Sequence, residues 1–349
     1  RPASRRLPRR AFGLGIRSGL AQRLLSTRID IGLAAGTPAS SRAAVLPGEH
    51  LSGLLGGRPV VIAFGGGSGP YRKPVLQVFG TDGTPLGYVK VGWNDWTRDA
   101  VRNEAAALRA CAASPMRLGV PALLHYGTWQ GLDLMVTAPL PGRVRRAGNS
   151  LPGADVLREI CELSAVSETE LAASSWWVGL RARIAAGVAD PASRTRLELV
   201  ADGLERIAGR SRMQFGRWHG DLVPWNLARL GTRLFAWDWE SSTADAPVGF
   251  DPLHFHFQVA FVAQRRPLED AAAYAALRAR PALTALAVPA DARDLLPVLH
   301  LIEIAVRHEE ARSAAGDADG RFYPAVLDLL ERVCLEPGST GQRAVDRAA

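Results

Sequence analysis

Strand-like and helix-like patterns occupy separate parts of this chain, and this separation restricts its fold more than any other feature. Between residues 58 and 137, short apolar runs divided by turn residues predict five strands, with one helix between the third and the fourth. From residue 154 onward, the apolar spacing predicts a mainly helical region. The pattern therefore predicts an α+β fold with a sheet part and a helical part.

The predicted elements follow the order strand, strand, strand, helix, strand, strand, and then helices. Turn residues between the first three strands favour an antiparallel meander. Either Asp95 or Thr97 is the expected N-cap of the first helix. The predicted strands are 59–64, 74–79, 85–91, 122–128, 132–137 and 234–237. The first predicted helix follows its N-cap and continues to Cys111, and the later helices are predicted at 154–187, 192–210, 252–264, 268–280, 291–313 and 322–335.

A length of 349 residues is enough for two domains or lobes. The composition shifts predict a basic N-terminal extension over 1–55, an N-lobe over 56–140 that consists of a sheet and a helix, a helical C-lobe over 141–337, and a C-terminal tail over 338–349. With 47% apolar and 22% charged residues, the chain is typical of globular proteins. No apolar run approaches the roughly 20 residues of a transmembrane segment.

The three cysteines lie far apart and form no C-x-x-C pair, so the sequence indicates neither a disulfide framework nor a zinc ribbon. A reducing cytoplasm fits this pattern best. Basic residues outnumber acidic ones by 20 to 7 in residues 1–150, whereas acidic residues lead by 16 to 11 in residues 240–349. The basic part suits nucleotide phosphates and the acidic part suits a cationic or neutral polar substrate, although solvated surface charge explains many of these residues equally well.

Two motifs carry the chemistry. The first is His219-Gly220-Asp221 with Asn226 five residues after the aspartate, and the second is Asp238-Trp239-Glu240 at the end of an apolar strand. Phosphoryl transfer needs a carboxylate that accepts a proton from the attacking hydroxyl, and it needs oxygen ligands that hold Mg²⁺ on the nucleotide. Asp221, Asn226 and Asp238 supply that set.

Lysine is rare in this chain, since Lys73 and Lys90 are two of its 42 basic residues and the others are arginines. A lysine in such a background indicates a position where a compact ammonium is needed. Lys90 ends the third predicted strand, and Glu104 follows fourteen residues later inside the predicted helix. A surface ion pair is the alternative to a functional one.

On these residues the chain resembles the aminoglycoside phosphotransferase and choline kinase-like family over about 58–335. The resemblance implies a bilobal protein-kinase-like fold, with a small antiparallel-sheet N-lobe and a mostly helical C-lobe. It also implies that Asp221 is the catalytic base and that Asn226 and Asp238 bind Mg²⁺. Trp239 and Glu240 stand where protein kinases have Phe-Gly, which favours a small-molecule acceptor over a protein.

The resemblance further implies an ATP site. Lys90 would contact the α- and β-phosphates, Glu104 would fix the lysine, and backbone groups of a hinge would read adenine. The glycine run after the first strand could cover the phosphates with backbone N–H groups, but it does not match G-x-G-x-x-G, and glycine-rich hairpin loops are common. The additional cofactor-binding candidates are Gly65, Gly66, Gly67, Thr137, Ala138 and Leu140.

Three further residues are expected to support the site: His219, Glu240 and Asp251. Asp251 matches a family aspartate that braces the catalytic loop, but N-capping of the next helix, with Pro252 at its first position, explains it equally well. His254 and His256 are two residues apart and so do not share a helix face as a metal pair would. They and His300 are expected to be ordinary core or surface histidines.

The sequence therefore predicts an ATP- and Mg²⁺-dependent phosphotransferase that moves the γ-phosphoryl group to a hydroxyl of a small molecule of the aminoglycoside, amino alcohol or sugar type. One alternative is a nucleotide-binding pseudokinase that serves as a regulatory module. Others are a polyanion or membrane-surface binder that uses the basic N-terminus, and a protein kinase. No specific nucleic acid partner and no transmembrane segment are expected, and the oligomeric state is open.

Overall fold

The computed structural model describes residues 46–65, 73–315 and 322–335. Most of the predicted N-terminal extension, Gly66 and Gly67 of the glycine run, and the predicted tail 338–349 lie outside these residues. Backbone contacts divide the chain into two compact units. The first contains the residues up to Ala105 together with Pro121–Gly142, and the second contains Ala106–Val120 and the residues from Arg143 onward.

The first unit is built on a five-stranded antiparallel sheet with the strand order β1-β2-β3-β5-β4. The five strands predicted between residues 58 and 137 and the antiparallel meander of the first three are therefore confirmed. Alternate residues of the central strands point to one face and form its core, which includes Leu76, Val78, Val89 and Val136. The strands are β1 (Val60–Gly65), β2 (Val75–Gly80), β3 (Pro85–Gly92), β4 (Leu123–Trp129) and β5 (Leu132–Thr137).

A short helix precedes the sheet. Helix α1 spans Pro47–Leu54 and begins with a proline, a residue suited to the first helical position. Its Leu51 is 2% exposed and belongs to the sheet core. The last ten residues of the predicted extension thus contribute to the packing of the first unit.

Helix α2 spans Asp95–Ala113 and carries the buried Glu104. Its N-cap is Asn94, because the Asn94 side chain accepts the Thr97 N–H at 2.9 Å while the Thr97 hydroxyl accepts the Asn94 N–H at 3.0 Å. This reciprocal arrangement satisfies two backbone donors at the start of the helix. The expectation that Asp95 or Thr97 is the N-cap is therefore wrong by one and three residues.

The second unit is mainly helical. Its predicted helices after residue 190 are confirmed, although 252–264 changes from an α-helix to a π-helical turn at Val259–Ala263. Among the described helices, none is long and apolar enough to span a bilayer. The helices are α3 (Ala154–Cys161), α4 (Ser175–Gly187), α5 (Pro191–Ala208), α6 (Phe250–Gln258), α7 (Leu268–Ala285), α8 (Ala290–Ala315) and α9 (Phe322–Leu335).

Two small antiparallel sheets lie among these helices. Their strand orders are β10-β9-β6 and β11-β8-β7. Strand β8 leads directly into the His219 motif, and β10 leads into the Asp238 motif. The strands are β6 (Arg145–Arg146), β7 (Ser167–Glu170), β8 (Arg212–Trp218), β9 (Leu227–Leu230), β10 (Arg233–Ala236) and β11 (Thr243–Pro247).

The single helix predicted over 154–187 is wrong. The segment forms α3, then β7, then a 3₁₀ turn at Leu171–Ala173, and finally α4. Strand β7 forms because its backbone pairs with β8 in register from Ser167 to Glu170. Helix α4 restarts at Ser174, whose hydroxyl accepts the Trp177 N–H at 3.1 Å and so acts as an N-cap.

We expect Asn94→Ala to lower the free energy of unfolding by about 1 kcal/mol, the usual cost of losing a side-chain N-cap. Urea denaturation measures this change. Thr97→Val serves as the partner in a double-mutant cycle. Because the two bonds are reciprocal, the double variant should lose less stability than the sum of the single variants. Strictly additive losses would contradict the capping arrangement.

Candidate functional site

The loop that follows β8 is shaped by Gly220. This residue has φ +85°, and a Cβ atom added to it would lie 2.0 Å from the carbonyl oxygen of Ser241. Only glycine tolerates both this backbone conformation and this close approach. The turn at Gly220 is what separates Asp221 from the end of the strand and presents it outside the sheet.

The buried carboxylate of Asp251 accepts hydrogen bonds from the backbone of this turn. It accepts the backbone N–H of His219 at 2.9 Å and that of Gly220 at 3.3 Å. The N-cap of α6 is Gly249, which has φ +114°, so the alternative that Asp251 caps this helix is wrong. Burial raises the pKa of Asp251 to about 7, while the two backbone donors and Arg307 act to lower it.

Asp221 and Asn226 are joined directly. The Asn226 amide nitrogen donates to Asp221 Oδ2 at 2.8 Å and to the Asp221 carbonyl oxygen at 3.0 Å. Asn226 lies in the 3₁₀ turn Pro224–Asn226 and is buried, whereas the Asp221 side chain is 36% exposed. Since its nitrogen is engaged, Asn226 can offer its amide oxygen to a cation.

Asp238 follows β10 in a left-handed backbone conformation, with φ 73° and ψ 53°. Such a conformation is uncommon for a residue other than glycine and often occurs at functional sites. The preceding Trp237 donates its backbone N–H to the Asn226 carbonyl oxygen at 3.2 Å, which ties the two motifs together. Carboxylate oxygens of Asp238 and Glu240 lie within 4.8 Å of each other.

His219 is fully buried. Burial lowers the pKa of this histidine to about 4, so the ring is neutral near pH 7. Its Nδ1 accepts the backbone N–H of Asp221 at 3.3 Å, and its ring packs on Trp239 with 4.3 Å between centroids. His219 therefore orders the backbone that carries Asp221, and because it is buried it is not in position to contact a substrate.

Sequence reasoning missed two histidines at this site. His254 Nε2 lies 3.2 Å from Asp221 Oδ1, and His254 Nδ1 lies 3.2 Å from His300 Nε2. Both rings are buried, as expected of core histidines, but they also form a chain of contacts that ends on Asp221, which the sequence did not indicate. They come from α6 and α8, far from the motif in sequence, so no local spacing could reveal them.

Arg307 of α8 was also missed. Its guanidinium donates to the carbonyl oxygens of Gly220 at 2.9 Å and Ser241 at 3.0 Å. It also packs over the Trp218 ring, 4.2 Å from the centroid. A single side chain thereby joins the loop of Asp221 to the loop of Asp238.

Arg307 is itself held by Glu303, which lies one turn earlier on α8. Arg307 Nε donates to Glu303 Oε1 at 2.7 Å, and the Arg183 guanidinium donates to both carboxylate oxygens at 3.0 and 3.1 Å. Trp176 Nε1 adds a further bond at 3.2 Å. The arginines outweigh burial and lower the pKa of Glu303, so this buried carboxylate stays charged.

In the first unit, Lys90 and Glu104 form the predicted ion pair. Lys90 lies on β3, where its neighbours in register are Val75 on β2 and Met135 on β5. The side chains of Lys90 and Glu104 are 16% and 4% exposed, so this is a largely buried pair and differs from the weak surface pairs considered as its alternative. Their contact with nucleotide phosphates stays a prediction.

The remaining cofactor-binding candidates lie at strand ends of the first unit. Gly65 is the last residue of β1, and Thr137 is the last residue of β5. The backbone N–H of Ala138 donates to the Ala122 carbonyl oxygen at 2.8 Å and is therefore already engaged. The roles of these residues and of Leu140 stay predictions.

Solved structures of small-molecule kinases share the fold of this chain. No protein-family model matches the chain, and no curated protein matches it in sequence. A thermostable mutant of aminoglycoside phosphotransferase APH(4)-Ia, in a ternary complex with AMP-PNP and hygromycin B, is 14% identical, with a TM-score of 0.53 over 87% of this chain and 99% of the other.

Two choline kinase structures give similar values. Choline kinase LicA from Streptococcus pneumoniae is 13% identical, with a TM-score of 0.51 over 86% of this chain and 97% of its own. A choline/ethanolamine kinase family protein from Mesorhizobium loti is 17% identical, with a TM-score of 0.52 over 88% and 98%. At these identities the likeness establishes the fold, and it confirms the α+β protein-kinase-like fold class that the sequence predicted.

We expect the contribution of Asp251 to the free energy of unfolding to fall as the pH rises from about 4 to about 7. The folded state keeps this proton up to about pH 7, whereas an unfolded aspartate loses it near its ordinary value of 3.8. Within that window the folded state binds more protons, so raising the pH favours unfolding. Asp251→Asn cannot ionise and should remove this part of the dependence. Urea denaturation of both proteins across the window measures it, and a constant difference between them would contradict the prediction.

We expect Arg307→Lys to lower the free energy of unfolding by about 1–3 kcal/mol, because one ammonium cannot span two carbonyl oxygens and leaves a buried acceptor unsatisfied. Arg312→Lys is the matched control, since Arg312 pairs with Glu309 on the same helix at 2.9 Å. Urea denaturation compares the two variants. Equal losses would show that the bonds to Gly220 and Ser241 contribute nothing specific.

Proposed function

We propose that this protein is an ATP- and Mg²⁺-dependent phosphotransferase that transfers the γ-phosphoryl group of ATP to a hydroxyl of a small molecule. The observation that carries the proposal is the arrangement of the two motifs. The partly exposed carboxylate of Asp221 accepts the side-chain N–H of Asn226, and the backbone carbonyl of the same asparagine accepts the N–H of Trp237, which precedes Asp238. The shared fold with small-molecule kinases supports it.

Asp221 orients the acceptor hydroxyl and takes its proton as the oxygen attacks phosphorus. Phosphoryl transfer has a loose transition state, so catalysis depends mainly on position and on charge stabilisation. Asp221 suits this task because its carboxylate is fixed by neighbouring donors and is still 36% exposed to an incoming substrate. The buried Asp251 and Arg307 keep the backbone of this loop in place.

The donor set fits Mg²⁺. Asn226 offers an amide oxygen, Asp238 offers a carboxylate, and Glu240 places a second carboxylate within 4.8 Å of it. Mg²⁺ prefers oxygen ligands and is usually bound by one or two carboxylates together with nucleotide phosphates. When bound, the ion neutralises charge on those phosphates. Histidine would be a softer ligand, and His219 is buried against Trp239 instead.

In the first unit, Lys90 is the residue that we assign to the nucleotide phosphates. Glu104 holds its ammonium in a largely buried pair, which fixes the side chain before a nucleotide binds. Gly65 and the glycine run after it are assigned to the phosphates, and Thr137, Ala138 and Leu140 to adenine. The AMP-PNP in the aminoglycoside phosphotransferase complex supports a nucleotide of this kind.

The acceptor is assigned only by class. An excess of 16 acidic over 11 basic residues in 240–349 favours a cationic or neutral polar molecule, such as an aminoglycoside, an amino alcohol or a sugar. Hygromycin B in the complex cited above is an acceptor-sized ligand of that protein. We assign the protein to the cytoplasm because Cys111, Cys161 and Cys334 are free thiols.

The test is ATP turnover with Mg²⁺ over a panel of aminoglycosides, amino alcohols and sugars, followed by Asp221→Asn on the acceptor that responds. We expect the variant to lose about 10²–10⁴-fold in kcat, the range for a general base. A thermal shift with ATP should stay unchanged, because Asp221 is not assigned to the nucleotide. Asp202→Asn is the control, since it removes an exposed carboxylate that pairs with Arg181.

Other experimental outcomes would support one of the alternative functions. A thermal shift by ATP and Mg²⁺ that is lost in Lys90→Met, without turnover on any acceptor, would indicate a nucleotide-binding regulatory module. Phosphorylated peptides in place of small molecules would indicate a protein kinase. Salt-sensitive binding to DNA or anionic lipid without any ATP response would favour a polyanion binder. Undiminished turnover in Asp221→Asn would overturn the assignment of the base.

A further inference from the structure

We propose that His254 is a positioning residue for Asp221 and that His300, by donating to His254 Nδ1, stabilises the ring tautomer in which His254 does this. The inference rests on the proposed function, because it assigns a role to a residue that touches the proposed base. His254 acts through Asp221 and has no assigned contact with nucleotide or acceptor.

The first step is the geometry of the Asp221 carboxylate. His254 Nε2 lies 3.2 Å from Oδ1, and the Asn226 amide nitrogen lies 2.8 Å from Oδ2. The two oxygens are therefore held from two different elements, α6 and the 3₁₀ turn after Asp221. Two donors on different oxygens fix the rotation of a carboxylate, whereas one donor leaves it free to turn. Each oxygen keeps a further lone pair for an acceptor hydroxyl.

The second step is the tautomer of the two rings. An ionised carboxylate has acceptor atoms only, so the His254 nitrogen that faces Asp221 carries a proton. In a neutral His254 ring, Nδ1 is then an acceptor, and the N–H that meets it must come from His300 Nε2 at 3.2 Å. The order of donation is thus His300 to His254 to Asp221. This arrangement leaves His254 one way to present its N–H to the base.

The third step is that both rings are buried and packed against aromatic side chains. His254 is 4% exposed and His300 is 2% exposed. The edge of Trp218 packs against His254 with 6.3 Å between centroids, and Phe250 packs against His300 at 5.7 Å. Burial, with smaller contributions from His254 and Arg307, holds the pKa of His300 well below its usual range, which keeps this ring neutral.

The ionisable groups around the two rings come from three elements. Asp221 and His219 lie on the loop after β8, Arg307 lies on α8, and Asp251 lies on α6. Arg307 is committed to Glu303 and to two backbone carbonyls, and Asp251 is committed to two backbone N–H groups. Because Arg307 and Asp251 are bonded to these other groups, His254 is the side chain that we assign to Asp221 Oδ1.

Loss of this donor should lower kcat and leave nucleotide binding unchanged. Misplacement of a catalytic group by about 1 Å costs on the order of 10²-fold in rate. We expect His254→Phe to lower kcat by about 10–100-fold with KM for ATP unchanged. His254→Gln, which keeps an N–H donor on a side chain of similar length, should recover part of the loss. The kcat of His300→Phe should lie between that of His254→Phe and that of the wild-type protein.

His256→Phe is the matched control. His256 lies two residues along the same helix and is also buried, but its ring packs against Tyr274 and Phe255. Circular dichroism and urea denaturation of each variant show whether it folds. If His254→Phe does not fold, the comparison of His254→Gln with His256→Phe carries the kinetic test.

A spectroscopic measurement tests the pair without turnover. Two-bond ¹H–¹⁵N spectra of ¹⁵N-histidine-labelled protein report which ring nitrogen carries the proton, and the His254→Phe and His300→Phe variants assign the signals. We expect the protonated nitrogen of both rings to be Nε2 in the wild-type protein. In His300→Phe the His254 Nδ1 signal should shift because this nitrogen loses its donor, while the proton stays on Nε2 beside Asp221.

The outcomes separate this inference from the proposed function. If the wild-type protein has no turnover on any acceptor, the proposed function fails, and the ring spectra still decide the His300-to-His254-to-Asp221 order. A proton on His254 Nδ1 in the wild-type protein would overturn the inference even in an active enzyme. So would turnover in His254→Phe equal to that of His256→Phe. A parallel rise in KM for ATP would also overturn it, because it would indicate general damage.

Discussion

The backbone of His219 and Gly220 leaves the sheet while it is still buried, and the rest of the site depends on how its polar groups are satisfied. A buried N–H or C=O without a partner costs free energy, and here no neighbouring strand is in place to provide one. Asp251 accepts the two N–H groups, and Arg307 donates to the Gly220 carbonyl. Two buried side chains, one carboxyl group and one guanidinium, thus replace the ladder of a sheet.

The use of Asp251 and Arg307 in place of a strand has an energetic cost, because ionisable side chains must be removed from water. At Glu303 this cost is offset, because two arginines and an indole N–H donate hydrogen bonds to one carboxylate. Asp251 has only backbone donors and a more distant arginine, and burial raises its pKa to about 7. The two acids show how partner number decides whether a buried carboxylate stays charged.

The sequence predicted the parts of the site that lie close together in the chain. Asp221 and Asn226 share one loop, so their spacing could relate them, whereas the pairing of Lys90 with Glu104 was implied by the family resemblance. His254 and Arg307 lie 33 and 87 residues from their contacts at the loop, and no local period connects them. Strand β8 was not predicted, although its apolar residues Met213, Phe215 and Trp218 are buried. Strand β7 was not predicted either, since its residues are polar and it forms only by pairing with β8.

Asp251 and His254 lie three residues apart on α6, so one face of a single helix supports both the backbone before Asp221 and its side chain. All the support for the base therefore comes from the buried side, while its other side is open to solvent. Under the proposed function, the surface residues around Asp221 can be replaced, and the accepted alcohol changed, without altering the residues that hold Asp221. Such a division between a fixed interior and a variable rim allows one scaffold to diversify across many acceptors.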